Sequence, residues 1–108
     1  MVASRFGVPT VSLASVFEYE VDPAAAEAFE AVYGSDGEWA RYFAGAKGYR
    51  GTEMLRSADG HYLVIDRWDS EAAYDAFLTA HADEYGSRNQ DATRLWLREL
   101  ILGRFETA

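Results

Sequence analysis

The chain has 108 residues, of which 49% are hydrophobic and 15% aromatic, with no cysteine and a formal net charge of −8. That length is one domain with enough apolar mass for a core, and the composition excludes intrinsic disorder, disulfides and thiolate chemistry. The acidity argues against nucleic acid and anionic membranes as partners, and no apolar run approaches the roughly 20 residues of a membrane helix.

Residues 1–9 read as a flexible N-terminal arm without a signal-peptide pattern, so a cytoplasmic protein is expected. "TVSLASVFEYEV" (10–21) alternates Val11, Leu13, Ser15, Phe17, Tyr19 and Val21, which predicts a strand. Asp22 and Pro23 open a helix, as an N-cap and a first-turn proline do, and Gly34 closes it. A second, short helix follows, with Trp39, Tyr42 and Phe43 at helical spacing.

"YRGTEMLRS" (49–57) and "HYLVIDRW" (61–68) are predicted strands joined by "SADG", whose Asp-Gly is a strong hairpin signal. Asp69 or Ser70 then caps a helix running to about Tyr85. Its inward stripe is Tyr74, Phe77, Leu78, His81 and Tyr85. "GSRNQDA" (86–92) reads as polar and loose, with at most a helical turn, and "TRLWLRELILGRFE" (93–106) as one long strand.

The order is βαββαβ, which predicts a ferredoxin-like α+β domain: a four-stranded antiparallel sheet with helices on one face. The last strand carries apolar groups on both sides, Trp96, Leu100 and Leu102 in one set, Leu97, Ile101 and Phe105 in the other. The bare sheet face therefore needs a second layer, and a homodimer supplies it.

No phosphate-cradling glycine loop, serine elbow or HExxH pattern is present. His61 and His81 are too few for a metal site, and His61 after the hairpin is expected at the surface. His81, on the stripe with Tyr74 and Phe77, fits either a hydrogen-bonded core histidine or a functional group. Glu18, Glu20, Glu53 and Asp66 could meet as a carboxylate cluster, or form ion pairs with Arg50, Arg67 or Arg98 at a dimer seam. The aromatic set Tyr33, Trp39, Tyr42, Phe43, Tyr62, Trp68, Tyr74 and Phe77 comes from several elements that this order gathers between helices and sheet. Aromatic residues at helical spacing are usually core. The polar ends of these, however, suit an apolar pocket with a few hydrogen-bonding groups.

"EWARYFAGAKGYRGTEMLR", "YLVIDRWDSEAAYDAFLTAHADEY" and "LGRFE", spread over Val16 to Phe105, resemble the antibiotic biosynthesis monooxygenase family. The resemblance implies one such domain over 10–108 and a dimeric α+β barrel. One branch oxidises anthrone-type polyphenols with molecular oxygen and no cofactor. Its tryptophan, tyrosine and arginine spacing is matched by Trp68, Tyr74 and Arg88, while its asparagine position is Val64 here. By that resemblance Trp68 and Tyr74 orient the substrate and Arg88 stabilises its anion, with Trp39, Phe43, Tyr62, Phe77 and His81 lining the pocket. A haem-degrading branch is disfavoured, since Glu18 or Tyr19, Phe77 and Ser87 stand at its key positions. The expected function is a cofactor-independent monooxygenase acting on a planar phenol or hydroquinone with O2. The alternative is a non-catalytic ligand- or haem-binding dimer of the same fold.

Overall fold

The computed structural model describes residues 12–108. The arm expected over 1–9, and the first residues of the strand expected from 10, lie outside the described residues. The elements are β1 (Leu13–Glu20), α1 (Ala26–Tyr33), α2 (Glu38–Phe43), β2 (Tyr49–Arg56), β3 (His61–Trp68), α3 (Glu71–Ala80), α4 (Ala82–Ala92) and β4 (Arg98–Glu106). Short 3-10 turns at Pro23–Ala25 and Thr93–Leu95 precede α1 and β4. The strands form one antiparallel sheet in the order β2-β3-β1-β4, the expected ferredoxin-like α+β arrangement.

Local chemistry sets the element ends. Asp22 accepts a hydrogen bond from the Ala24 amide at 2.8 Å, capping the turn that leads into α1. Ser70 does the same for α3 through the Ala73 amide at 3.1 Å. Gly48 sits at φ +92°, where other residues are strained, and its carbonyl accepts the Asp69 amide at 2.7 Å, which ties the β2 entrance to the start of α3.

Two expectations are corrected. "GSRNQDA" is not loose: it lies in α4, which carries Tyr85 and Ala92 inward, with Asn89 at the cavity and the other residues exposed. A polar surface face does not prevent a helix from forming when one stripe packs. The final strand is also shorter than read, because Thr93–Leu95 is a 3-10 turn. Its alternation breaks at a bulge: Val16 pairs Gly103 while Phe17 pairs Ile101, which leaves Leu102 over. Ile101 therefore faces the helix side, whereas Leu100 pairs Glu18 and Phe105 pairs Ala14 on the other face; Trp96, which ends the 3-10 turn before the strand, turns to the helices and donates its indole N–H to the Tyr33 hydroxyl at 3.2 Å.

The core lies between sheet and helices. Phe29 and Trp68 are fully enclosed there, and Tyr19, Tyr33, Phe43, Tyr62 and Tyr74 are buried around them. Among the described residues the opposite sheet face carries no helix, and Leu55, Leu100 and Phe105 are exposed there.

Candidate functional site

The pleat of β3 turns Tyr62, Val64, Asp66 and Trp68 toward the helices. In β1 the same side holds Leu13, Ser15, Phe17 and Tyr19. Between this surface and the helices lies a cavity of about 220 Å³. Its walls are Phe17 and Tyr19 of β1, Tyr33 of α1, Trp39 and Phe43 of α2, and Val64 and Asp66 of β3. Tyr85 and Asn89 of α4, with Glu99 and Ile101 of the β4 edge, complete it. The lining is mostly aromatic with a few polar groups, the usual make-up of a small-ligand site.

Its polar groups are held in rows across the sheet. Thr52, Asp66 and Ser15 are paired neighbours on β2, β3 and β1. Thr52 donates its hydroxyl to Asp66 Oδ1 at 2.6 Å, and the Tyr49 hydroxyl lies 2.5 Å from Thr52 Oγ1. Asp66 is 7% exposed, and among the described residues no cation pairs with it. Burial pushes its carboxyl up from the ordinary 3.8 to about 6, against the opposing pull of the Thr52 hydroxyl. Four residues along the sheet, Tyr19 donates to Glu99 Oε2 at 2.7 Å, and burial pushes the phenols of Tyr19, Tyr33 and Tyr85 above their ordinary value. Trp39 presents an indole N–H without a partner among the described residues.

Of the residues singled out in the sequence, Trp39 and Phe43 line this cavity. Trp68, Tyr74 and Phe77 form a packed layer beside it: Phe43 lies 5.4 Å from Trp68 and 5.3 Å from Phe77, and Trp68 lies 5.1 Å from Tyr74, centroid to centroid. Trp68 is 0% exposed and its indole N–H has no partner among the described residues. Tyr62 is buried further along β3 and donates to Glu30 Oε2 at 2.6 Å. That bond, with Arg56 behind it, holds the Glu30 carboxyl below its ordinary range.

His81 and Arg88 lie outside the cavity. The inward stripe expected through His81 ends one residue early, because α3 stops at Ala80 and His81 is the junction to α4. Its imidazole stacks on Phe77 at 4.4 Å with its outer side in solvent, 3.9 Å from Glu84. Arg88, expected in a loop, is on α4; it covers the Tyr42 ring at 4.2 Å and pairs with Glu84 at 3.2 Å. It borders an outer groove of about 700 Å³ with Glu38, Asp91 and Arg94, on the solvent side of Trp39. That groove is rich in charges and open, which suits a flat apolar ring poorly.

Sequence reasoning grouped Asp66 with Glu18, Glu20 and Glu53, but the pleat separates them. Glu53 and Arg67 pair at 3.3 Å on the bare side, while Asp66 faces the cavity. The signal was the Tyr62, Val64, Asp66, Trp68 alternation, in which one acid shares a face with three apolar side chains. Asn89, four residues after Tyr85, was missed with the rest of α4.

Comparison with known proteins bears on this arrangement. Residues 12–82 match the family model for antibiotic biosynthesis monooxygenase. No curated protein matches the chain. Among solved structures it is similar to Rv0793 from Mycobacterium tuberculosis, at 20% identity and TM-score 0.64, covering 90% of this chain and 93% of that one. It is also similar to a protein from Nitrosomonas europaea named for antibiotic biosynthesis monooxygenase, at 14% identity and TM-score 0.60, covering 94% and 90%. A conserved Bacteroides thetaiotaomicron protein, described as of unknown function and a possible oxidoreductase, matches at 17% identity and TM-score 0.57, covering 93% and 100%. At these identities the structural likeness establishes the fold alone, and the family match carries the assignment. The chain belongs to the antibiotic biosynthesis monooxygenase family.

Proposed function

We propose that the protein is a cofactor-independent monooxygenase that oxidises a compact planar phenol or hydroquinone with O2 in the cavity between sheet and helices. The observation that carries this is an aromatic-walled space of about 220 Å³ with a buried carboxyl and several phenols, in a chain of this family. In such a reaction the substrate supplies the electrons. A ring C–H carbon para to the hydroxyl becomes a quinone carbonyl with one oxygen atom of O2, and the other atom leaves as water with the ring hydrogen and the hydroxyl hydrogen. The protein's part is to hold and desolvate the ring and to accept its hydroxyl proton. Trp39 and Phe43 form the walls, while Trp68 and Tyr74 set the position of Phe43 from behind.

The second copy belongs to the same proposal. Leu55, Leu100 and Phe105 are 47%, 39% and 52% exposed on a sheet face that also carries Val16, Leu63 and Ile65. A two-fold pairing of these faces would bury them and give each cavity a rigid floor. Among the described residues no helix is long and apolar enough to cross a membrane.

The test is kinetic. Trp68→Phe and Tyr74→Phe should lower turnover of a true substrate several-fold while circular dichroism stays native. Unchanged kinetics in both would remove these residues from the mechanism. The sealed position of Trp68 favours, as a second reading, a dimer that binds an aromatic ligand without turning it over. Tight ring binding with no oxygen consumption would establish that reading.

A further inference from the structure

Asp66 is a carboxyl buried without a cation among the described residues, and a wholly structural role does not account for it. Valine or asparagine would fill the same place on β3 at lower desolvation cost. One of its oxygens is fixed. Thr52 has a single hydroxyl proton and gives it to Oδ1, so Tyr49 must donate in turn to Thr52. Both donors arrive from the β2 side. The other oxygen, Oδ2, accepts nothing from the described residues, and the residue lines the cavity opposite the rings of α2 and α4.

We propose that Asp66 is the group that takes the hydroxyl proton of a ring bound in this cavity, with Thr52 and Tyr49 as the positioning residues that leave Oδ2 free to receive it. The inference rests on the cavity being the substrate site and adds to that reading the identity of the base. In the step the phenolic O–H bond breaks, an O–H bond forms on the carboxylate, and the electron pair stays on the phenolate oxygen. No other reactant is needed. The raised carboxyl, at about 6, stays ionised at neutral pH and is a stronger base than an ordinary aspartate.

The surroundings leave Asp66 as the group that titrates here between pH 5 and 8. From β1 and α1 it is approached by Tyr19 and Tyr33, from β2 by Tyr49, from α3 by Tyr74 and from α4 by Tyr85. Burial pushes every one of these phenols upward. From β4, Glu99 accepts the Tyr19 hydroxyl hydrogen bond, and Arg104 lies over the Tyr74 ring bound to Glu71 and Asp75. His61 and His81 lie outside the cavity lining.

The experiment is equilibrium binding of 2-naphthol and of 2-methoxynaphthalene, followed by quenching of tryptophan fluorescence from pH 5 to 8. The naphthol keeps its proton over that range, as tyrosine does. For wild type, 2-naphthol should tighten about tenfold as pH rises through about 6, because the carboxylate accepts its hydroxyl far more strongly than the neutral acid does, while the methyl ether, with no hydroxyl to donate, should show no such tightening. Asp66→Asn should bind both rings with no pH dependence. Thr52→Val, which removes the donor that lowers the carboxyl, should move the midpoint upward. Equal, pH-independent binding of both probes by wild type would overturn the role of Asp66 and leave the cavity as the ring site. Failure of both to bind would overturn the cavity reading and this inference with it.

Discussion

Trp68 and Tyr74 lie ring beside ring with centroids 5.1 Å apart, one at the end of a strand and the other in the first turn of the next helix. Both are buried, and Arg104 closes the outer side of Tyr74 with its guanidinium 4.7 Å from the ring centre. This pair therefore works first as the hinge of the core and acts on the cavity through Phe43.

Truncation of Trp68 should show that weight. Trp68→Ala should cost about 3–5 kcal/mol, the range for deleting a large enclosed aromatic side chain. Trp68→Phe should cost much less and keep the fold. Urea unfolding with an unchanged denaturant slope measures both; a loss under about 1 kcal/mol in Trp68→Ala would mean the corner repacks freely.

Asp66 should make the protein less stable above pH 6 than below pH 4. Its carboxyl is raised in the folded state, from 3.8 to about 6, so the folded chain holds a proton that the unfolded chain has released across that window. Its contribution is fully present below about 4 and is lost as pH rises through about 6. Asp66→Asn should gain on the order of 1–3 kcal/mol at pH 7 and progressively less toward pH 4. Thermal unfolding at both pH values reads this directly, and an equal effect at both would contradict it. A stabilised variant with weaker substrate handling is the usual signature of a strained functional group.

Gly48 should resist substitution. At φ +92° a side chain is strained, and an added Cβ would lie 2.7 Å from Ala73 Cβ. Gly48→Ala should cost about 1–3 kcal/mol, whereas Gly86→Ala, in α4 with open space around it, should be neutral or stabilising. Equal melting shifts in the two variants would contradict the close contact at the start of α3.

The bare sheet face should hold two copies together. Wild type should sediment as a dimer at micromolar concentration, and Leu100→Asp combined with Phe105→Asp should sediment as a monomer. A monomeric wild type would contradict the two-sheet packing.

Most of the fold was legible because each strand of the first three is bounded by strong local chemistry: Asp22-Pro23, the Asp-Gly turn, and Ser70 as a cap. The errors fall where a tertiary effect overrides local pattern. In α4 only Tyr85 and Ala92 turn inward, so the helix carries almost no apolar period to read. In β4 the bulge at Leu102 exchanges the faces, so strict alternation places Ile101 and Phe105 together although they end on opposite sides, and Trp96 ends a 3-10 turn outside the strand's alternation. The site was legible as an aromatic set but not as a cavity. Spacing put Tyr62, Trp68, Tyr74 and Phe77 on inward faces without saying that they would seal against one another. The open space falls instead beside Tyr19, Tyr33, Asp66 and Tyr85.

Oxygen consumption by the purified, metal-free protein, offered a panel of anthrones and hydroquinones, decides most directly whether the cavity supports cofactor-free oxygenation. Wild type should consume oxygen above the uncatalysed rate with at least one member. The rate should fall several-fold in Trp68→Phe and when Trp39→Leu opens the cavity wall. No uptake with any member, or uptake unchanged in both variants, would contradict an oxygenase acting in this cavity.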